Sequence, residues 1–279
     1  MDPEPKPVPP LHLRWFGVTD RGKVRKNNED SFLTLQFDAQ ELRYLGKVGE
    51  DKSGHNDFVF AVSDGMGGEM AGEFASRITV DKIAHLLPCF YKQAAAGLGA
   101  GFADVLEELF DQVHRALTYL GACYEECEGM GATLSLSWFT PGWMYFAHIG
   151  DSRIYYLPAQ GGLRRITHDD TYVDWLFRKG EINEREARTH PRRNVLQRAL
   201  GAGNQFVDPQ VGAVACEPGD RFLLCTDGVV EGLYDHHLAE MLIQPATAPV
   251  DWNPAQQLVT TSIANAGRDN TTAVVVEVL

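Results

Sequence analysis

Basic residues, cysteines and long apolar runs are all scarce in this chain, and each scarcity excludes something. Its 279 residues hold 25 lysines and arginines against 38 acids, a formal net charge of −13. That balance argues against nucleic acid or an anionic membrane as a main partner. No segment reaches the ~18 apolar residues of a bilayer-spanning helix. The opening Met1-Asp2-Pro3-Glu4-Pro5-Lys6-Pro7-Val8-Pro9-Pro10 has no apolar core, so it reads as a flexible proline-rich arm over residues 1–12 rather than a secretory leader. The five cysteines (Cys89, Cys123, Cys127, Cys216, Cys225) are odd in number and form no C-x-x-C pair. Cys123 and Cys127 have the spacing of one helix face, but no histidine stands near them to complete a zinc site. Reduced thiols in a cytoplasmic protein follow. No internal repeat is visible.

What is present suits a globular chain: 44% hydrophobic and 10% aromatic residues. Strands are expected over 13–19, 30–35, 59–62, 132–139, 143–149, 152–157, 207–215, 221–226 and 272–278, from β-branched and aromatic runs bounded by Gly, Pro, Asn and Asp. Ala71, Phe74, Ala75 and Ile78 recur at helical spacing, which predicts a helix from Ala71 to about Leu87. A second covers Leu106–Leu120, antiparallel to the first and separated from it by a small-residue linker over 94–101. Two more are expected over 238–243 and 255–266, and a charged helical stretch over 169–193. Residues 38–57 read as a loop or hairpin excursion. Strands grouped in hairpins with paired helices between the groups imply an α+β fold with antiparallel sheets, in one domain spanning 13–279.

Acids stand at the ends of these strands. Phe58-Val59-Phe60-Ala61-Val62-Ser63-Asp64-Gly65-Met66-Gly67-Gly68 is an apolar strand that stops at a carboxylate, followed by three glycines. Those glycines let a backbone carbonyl approach a ligand. Asn28-Glu29-Asp30, Gly150-Asp151-Ser152-Arg153, Thr226-Asp227-Gly228 and Asp269-Asn270-Thr271-Thr272 place acids at four further strand termini. Carboxylates gathered at one edge repel each other unless cations neutralise them. A set of hard oxygen donors without thiolate or clustered imidazole suits Mg²⁺ or Mn²⁺ rather than zinc.

Arg25, Asn28-Glu29-Asp30, Ser63-Asp64-Gly65-Met66-Gly67-Gly68, Gly131-Ala132-Thr133, Gly150-Asp151-Ser152-Arg153, Thr226-Asp227-Gly228 and Asp269-Asn270-Thr271-Thr272 occur in this order from about Phe16 to Val278. Together they resemble the metal-dependent Ser/Thr protein phosphatases of the 2C type, in their bacterial branch. The resemblance implies a β-sandwich of two antiparallel sheets with helices on both outer faces. It implies a centre of two Mn²⁺ or Mg²⁺ ions, with a third in some members, at one end of the sandwich. On that pattern Asp64 bridges the two principal ions and the Gly65 carbonyl ligates one of them. Asp227 and Asp269 complete the first ion. Asp30 faces the second, with Glu29 beside it, and Asp151 joins Asp227 at the weaker third site. Arg25 becomes the phosphate clamp, a role its planar donor fork suits.

The implied activity is hydrolysis of phosphoserine and phosphothreonine in proteins. Water or hydroxide between the ions attacks phosphorus directly, without a phosphoenzyme, in a monomeric protein opposing a cognate Ser/Thr kinase. Two rivals are a pseudophosphatase that serves as a binding module and a hydrolase of small phosphoesters. Residues 167–198 correspond to the flap beside the active site, and its charges read equally well as a solvated face. Met66 stands where animal members often carry histidine, so no leaving-group acid is named; His55, His148 and His190 are candidates. Glu69 replaces a histidine found in many bacterial relatives. Met66, Met70 and Met130 are expected to pack beneath the glycine turns. Ser63 and Thr226 have no adjacent base, which excludes a covalent serine mechanism.

Overall fold

The structure is a computed structural model that describes residues 10–38, 40–52, 54, 56–95, 101–244 and 251–279. Two antiparallel sheets face each other. The first contains β1 (His12–Asp20), β4 (Val48–Lys52), β9 (Arg153–Leu157), β10 (Arg164–Arg165), β13 (Arg221–Cys225) and β14 (Thr271–Val278), in the order β10-β9-β13-β14-β1-β4. The second is built on β5 (Asp57–Met66), which pairs on one side with β2 (Asp30–Phe37) and on the other with β7 (Leu134–Thr140). β8 (Trp143–Ile149) and β12 (Gln210–Ala215) continue it, β3 (Leu42–Tyr44) edges β2, and the short β6 (Gly131–Ala132) and β11 (Leu200–Gly201) extend the end of β5.

Between the sheets lies a layer that includes Trp15, Phe58, Phe60, Phe139, Phe222 and Val276. Phe139 meets Phe60 and Phe222 edge-on, with centroids 5.7 and 5.2 Å apart. Alternation along β5 sends Phe58, Phe60 and Val62 into that layer and Val59 and Ala61 to the opposite face. On that outer face pack α1 (Glu69–Ala95) and α2 (Phe102–Cys123). The other sheet is covered by α5 (Asp227–Gly232), α6 (Asp235–Leu242) and α7 (Pro254–Asn265). α3 (Tyr172–Arg178) and α4 (Glu184–Thr189) form the charged segment. The expected sandwich with helices on both faces is therefore what the chain adopts.

Several expectations need correction. The arm ends earlier than residue 12: Leu11 is already buried and His12 begins β1. The loop or hairpin excursion expected over 38–57 is in part a hairpin, since β3 folds back on β2, but its second strand β4 pairs with β1 in the other sheet. α1 continues through Pro88 to Ala95, so most of the expected linker, residues 96–100, lies outside the described residues. Cys123 and Cys127 do not share a helix: α2 ends at Cys123, and Cys127 lies in a separate 3₁₀ turn, Glu125–Cys127. Met130 packs beneath the turns as expected, but Met70 is 82% exposed. The Asp227-Gly228 step starts the helix α5, whereas the similar Asp64-Gly65 step stays within a strand.

Candidate metal centre and active site

One end of the sandwich collects the acids. Asp30 and Asp64 sit directly opposite each other on paired strands β2 and β5. Asp64 is fixed by its own backbone: its N–H donates to Thr133 Oγ1 (3.0 Å) and its carbonyl accepts from Thr133 N (2.8 Å). The Gly65 N–H donates to the Glu29 carbonyl at 3.1 Å, which ties the Asn28-Glu29-Asp30 stretch to the end of β5. Asp151 occupies the β8–β9 turn, where Gly150 has φ +107°, and the Gly150 N–H donates to Asp170 Oδ2 at 3.0 Å. Asp227 is the first residue of α5, and Asp269 precedes β14. Asn270 cross-links the set. Its Oδ1 accepts from Glu29 N (2.7 Å), and its Nδ2 donates to the carbonyls of Arg21 and Asn27 (both 3.0 Å).

The electrostatics follow from the same placement. Burial, then the charges of Asp30, Asp227, Asp151 and Asp269, push the Asp64 carboxyl well above the ordinary range. Asp227 is raised likewise, by burial and then by Asp151, Asp269 and Asp30. Asp30 is pushed up to about 7, mainly by burial, although hydrogen bonds from Thr272 and Thr226 oppose the shift. Asp151 also reaches about 7, through burial and Asp169, with Arg153 opposing. All five sequence-predicted aspartates thus share one site, with Glu29 and the buried Gly65 beside them. Arg25 joins them from the β1–β2 loop, its Nη2 donating to Asp269 Oδ2 at 2.8 Å. That bond is the leading cause of its raised pKa.

Whether this set suits divalent cations can be judged from its loose ends. Asp30 Oδ2 accepts from Thr226 Oγ1 (2.8 Å) and Thr272 Oγ1 (2.6 Å), but its Oδ1 and the Oδ1 of Asp227 are buried with no hydrogen-bond partner. A buried carboxylate oxygen left unpartnered is costly unless a cation meets it. The donors are all oxygen, as Mg²⁺ and Mn²⁺ prefer. Among the described residues no group of three His, Cys, Asp or Glu side chains is placed, as it stands, to hold a metal ion. The residues fit the ions by chemistry and by orphaned oxygens.

Because these carboxyls hold protons more tightly folded than unfolded, their contribution to stability is present below about pH 4 and lost as pH rises through about 7. In chelator, the melting temperature should fall between pH 5.5 and 8. Mn²⁺ should restore it at pH 8 far more than at pH 5.5, since protons compete for the same oxygens. A melting temperature that is flat or rising with pH in chelator would contradict this account.

The sequence reading missed the threonine pair that orients Asp30, though the Thr226-Asp227 and Thr271-Thr272 dipeptides carried the signal. Thr226 spends its hydroxyl proton on Asp30, consistent with its rejection as a nucleophile. His148 is a structural residue: it is fully buried, bonded to Ser135 Oγ and near the Gly150 and His168 carbonyls, and burial lowers its pKa. His190 ends α4, and its Nδ1 accepts from Arg192 N. His55 and the Glu69 side chain lie outside what the structure describes.

Most charges of the segment are exposed, as a solvated face would have them, including Arg178, Lys179, Glu181, Glu184, Arg185, Glu186 and Arg192, but a few charged residues tie it to the body of the fold. Arg153 holds Asp169 through bonds of 2.6–3.2 Å, and Arg165 bridges Asp169 and Asp174. Arg188 of α4 donates to the Val230 and Leu233 carbonyls at 2.8 and 2.9 Å, pinning α4 to α5. A cavity of about 770 Å³ lies here, and Asp151, Asp227, Phe177 and Arg188 are among the residues that line it.

A two-sheet sandwich whose strand ends gather five aspartates presents an all-oxygen donor set of the kind that hard divalent cations take. The chain belongs to the protein phosphatase 2C family, which it matches over residues 46–263. It is 35% identical over 272 residues to the serine/threonine protein phosphatase PstP of Mycobacterium tuberculosis, covering 96% of this chain and 46% of that protein. The chain thus spans about half the length of that relative. With the serine/threonine phosphatase stp of Listeria monocytogenes it shares 32% identity, over 93% of both chains. The solved catalytic domain of PstP in complex with two manganese ions superposes with a TM-score of 0.74 at 32% identity, covering 96% of this chain and 99% of that one.

Proposed function

We propose that this chain hydrolyses phosphoserine and phosphothreonine in proteins, using divalent cations held by the converging acids. The observation that carries the reading is the group of five aspartates at one end of the sandwich, two of them with buried orphan oxygens, beside an exposed arginine. The relatives named as Ser/Thr phosphatases, and the manganese ions in one of them, support it.

Asp64, Asp227, Asp269 and the Gly65 carbonyl would hold one ion, with Asp64 shared by a second that Asp30 and Glu29 face; Asp151 and Asp227 would hold a third. When bound, Mn²⁺ or Mg²⁺ neutralises the acids and activates water for in-line attack on phosphorus. The protein's own groups do the rest. Arg25 spends one guanidinium nitrogen on Asp269 and keeps further donors of its planar fork for phosphoryl oxygens. Thr226 and Thr272 fix which Asp30 oxygen faces the site. The 167–198 segment, the family's flap, forms one side of the cavity through which a peptide would approach. A cognate Ser/Thr kinase, a monomeric state and a cytoplasmic site of action belong to the same proposal. No described helix is long and apolar enough to cross a membrane.

The test is phosphate release from a phosphothreonine peptide with Mn²⁺, with Mg²⁺ and with chelator. Release is expected with metal and should vanish in chelator. A folded, metal-loaded protein that releases none would support the pseudophosphatase instead, and turnover of small aryl phosphates alone would favour the small-phosphoester rival.

A further inference from the structure

The molecule is strongly acidic, yet the rim of its acid cluster is basic. Residues 21–26 of the β1–β2 loop contain Arg21, Lys23, Arg25 and Lys26 and no acid, in a chain of net charge −13. All four side chains are exposed, as is Arg268 beside Asp269. The loop is moored against the 264–270 segment, so these charges form one patch. Lys23 N donates to the Gly267 carbonyl (2.8 Å), Lys23 Nζ to the Ala264 carbonyl (3.0 Å), and Asn270 Nδ2 to the Arg21 carbonyl (3.0 Å).

Space leaves the mooring little play: a Cβ on Gly22 would lie 2.4 Å from the Asp269 carbonyl oxygen. Arg25 turns inward to Asp269, whereas Arg21 Nη1 donates to the Lys26 carbonyl and Lys23 Nζ to the Ala264 carbonyl, bonds that neutralise neither charge. Among the described residues no carboxylate pairs with Arg21, Lys23 or Arg268, and Arg268 also lines the 770 Å³ cavity that reaches Asp151 and Asp227.

We propose that this rim binds anionic residues flanking the phosphorylated Ser or Thr, so that acidic or multiply phosphorylated segments are the preferred substrates. The inference rests on the phosphatase reading. Elsewhere the net-negative surface repels such a segment; at the rim it meets preorganised cations whose backbone anchors are already made. Side-chain carboxylates and a second phosphate offer the same anionic chemistry, and separate peptides distinguish them.

The experiment compares kcat/KM for phosphothreonine peptides flanked by glutamate, by glutamine, by lysine or by a second phosphoserine. The glutamate- or phosphoserine-flanked peptides should exceed the glutamine one by about fivefold, through KM, as expected for a few exposed charge pairs. High salt should erase the difference. The charge reversal Lys23→Glu with Arg268→Glu should invert the order toward the lysine-flanked peptide, a result that misfolding cannot produce. Equal kcat/KM across flanks in an active wild type would overturn the proposal. If no peptide is turned over with Mn²⁺, the phosphatase reading fails separately. Fluorescence anisotropy with an unphosphorylated glutamate-rich peptide then decides the rim: salt-sensitive binding lost in the double variant sustains it, and no binding overturns it.

Discussion

Asp64→Asn should be inactive and, in chelator, more stable than the wild type. The two effects have one origin. Asp64 sits opposite Asp30 on the neighbouring strand and feels four other aspartates, and its carboxyl is held well above the ordinary range by burial and by those charges. Ionising it without cations is therefore unfavourable, and an amide of the same shape removes the repulsion. In chelator at pH 8 the variant should melt about 3 °C or more above the wild type, the scale of 1 kcal/mol in a chain of this size. Addition of Mn²⁺ should raise the wild type and leave the variant nearly unmoved. Phosphopeptide hydrolysis should fall by on the order of 10³-fold or more, since the acid proposed to serve both principal ions is gone. A variant that kept activity would remove Asp64 from the centre. One that lost activity and also stability in chelator would show that Asp64 matters for folding and not for holding charge.

Most of this site was legible because it is written in strand termini. An apolar run that ends at Asp-Gly marks where a sheet releases a side chain into a cleft; Asp64 and Asp227 follow that pattern, and Asp30, Asp151 and Asp269 at three other strand termini pointed to the same edge. What could not be read is how different termini behave after the acid. Val62-Ser63-Asp64-Gly65 and Leu224-Cys225-Thr226-Asp227-Gly228 look alike, but the first continues as strand because β6 pairs with Gly65 and Met66. The second leaves its sheet after Cys225 and turns helical at Asp227, where Gly228 lies against the Asn270 carbonyl and the Thr226 hydroxyl is held by Asp30 rather than capping α5. Long-range pairing decides between them, and local sequence carries no record of it. The same holds for residues 38–57, whose two short strands serve different sheets, and for Arg188, whose carbonyl partners in α5 and just beyond its end lie more than forty positions away. The basic loop over 21–26 was plain in the sequence as a turn; only its mooring to residues 264–270 makes it a rim.

Gly65→Ala should unfold the end of β5 from α1, at a cost on the order of 3 kcal/mol and about 10 °C in melting temperature. Conformation is not the reason, since Gly65 has no positive φ; space is. A Cβ there would stand 1.9 Å from the Gly72 carbonyl oxygen and 3.1 Å from that of Glu29. Both obstacles are backbone, in the first turn of α1 and in the stretch that carries Asp30, so neither can rotate away. Gly72 is a glycine for the reciprocal reason, because its own Cβ would meet the Gly65 carbonyl at 3.0 Å. The two glycines let helix and strand touch main chain to main chain, and that contact sets where the Gly65 carbonyl points, the one backbone oxygen assigned to a cation. Gly46→Ala is the matched control: its Cβ would meet only the Val48 carbonyl at 3.5 Å, and its melting temperature should stay within about 2 °C of the wild type. In Gly65→Ala the stabilisation by Mn²⁺ should shrink along with the fold's own stability. If the variant instead melts like the wild type and gains as much from Mn²⁺, then neither the close contact nor the carbonyl assignment stands.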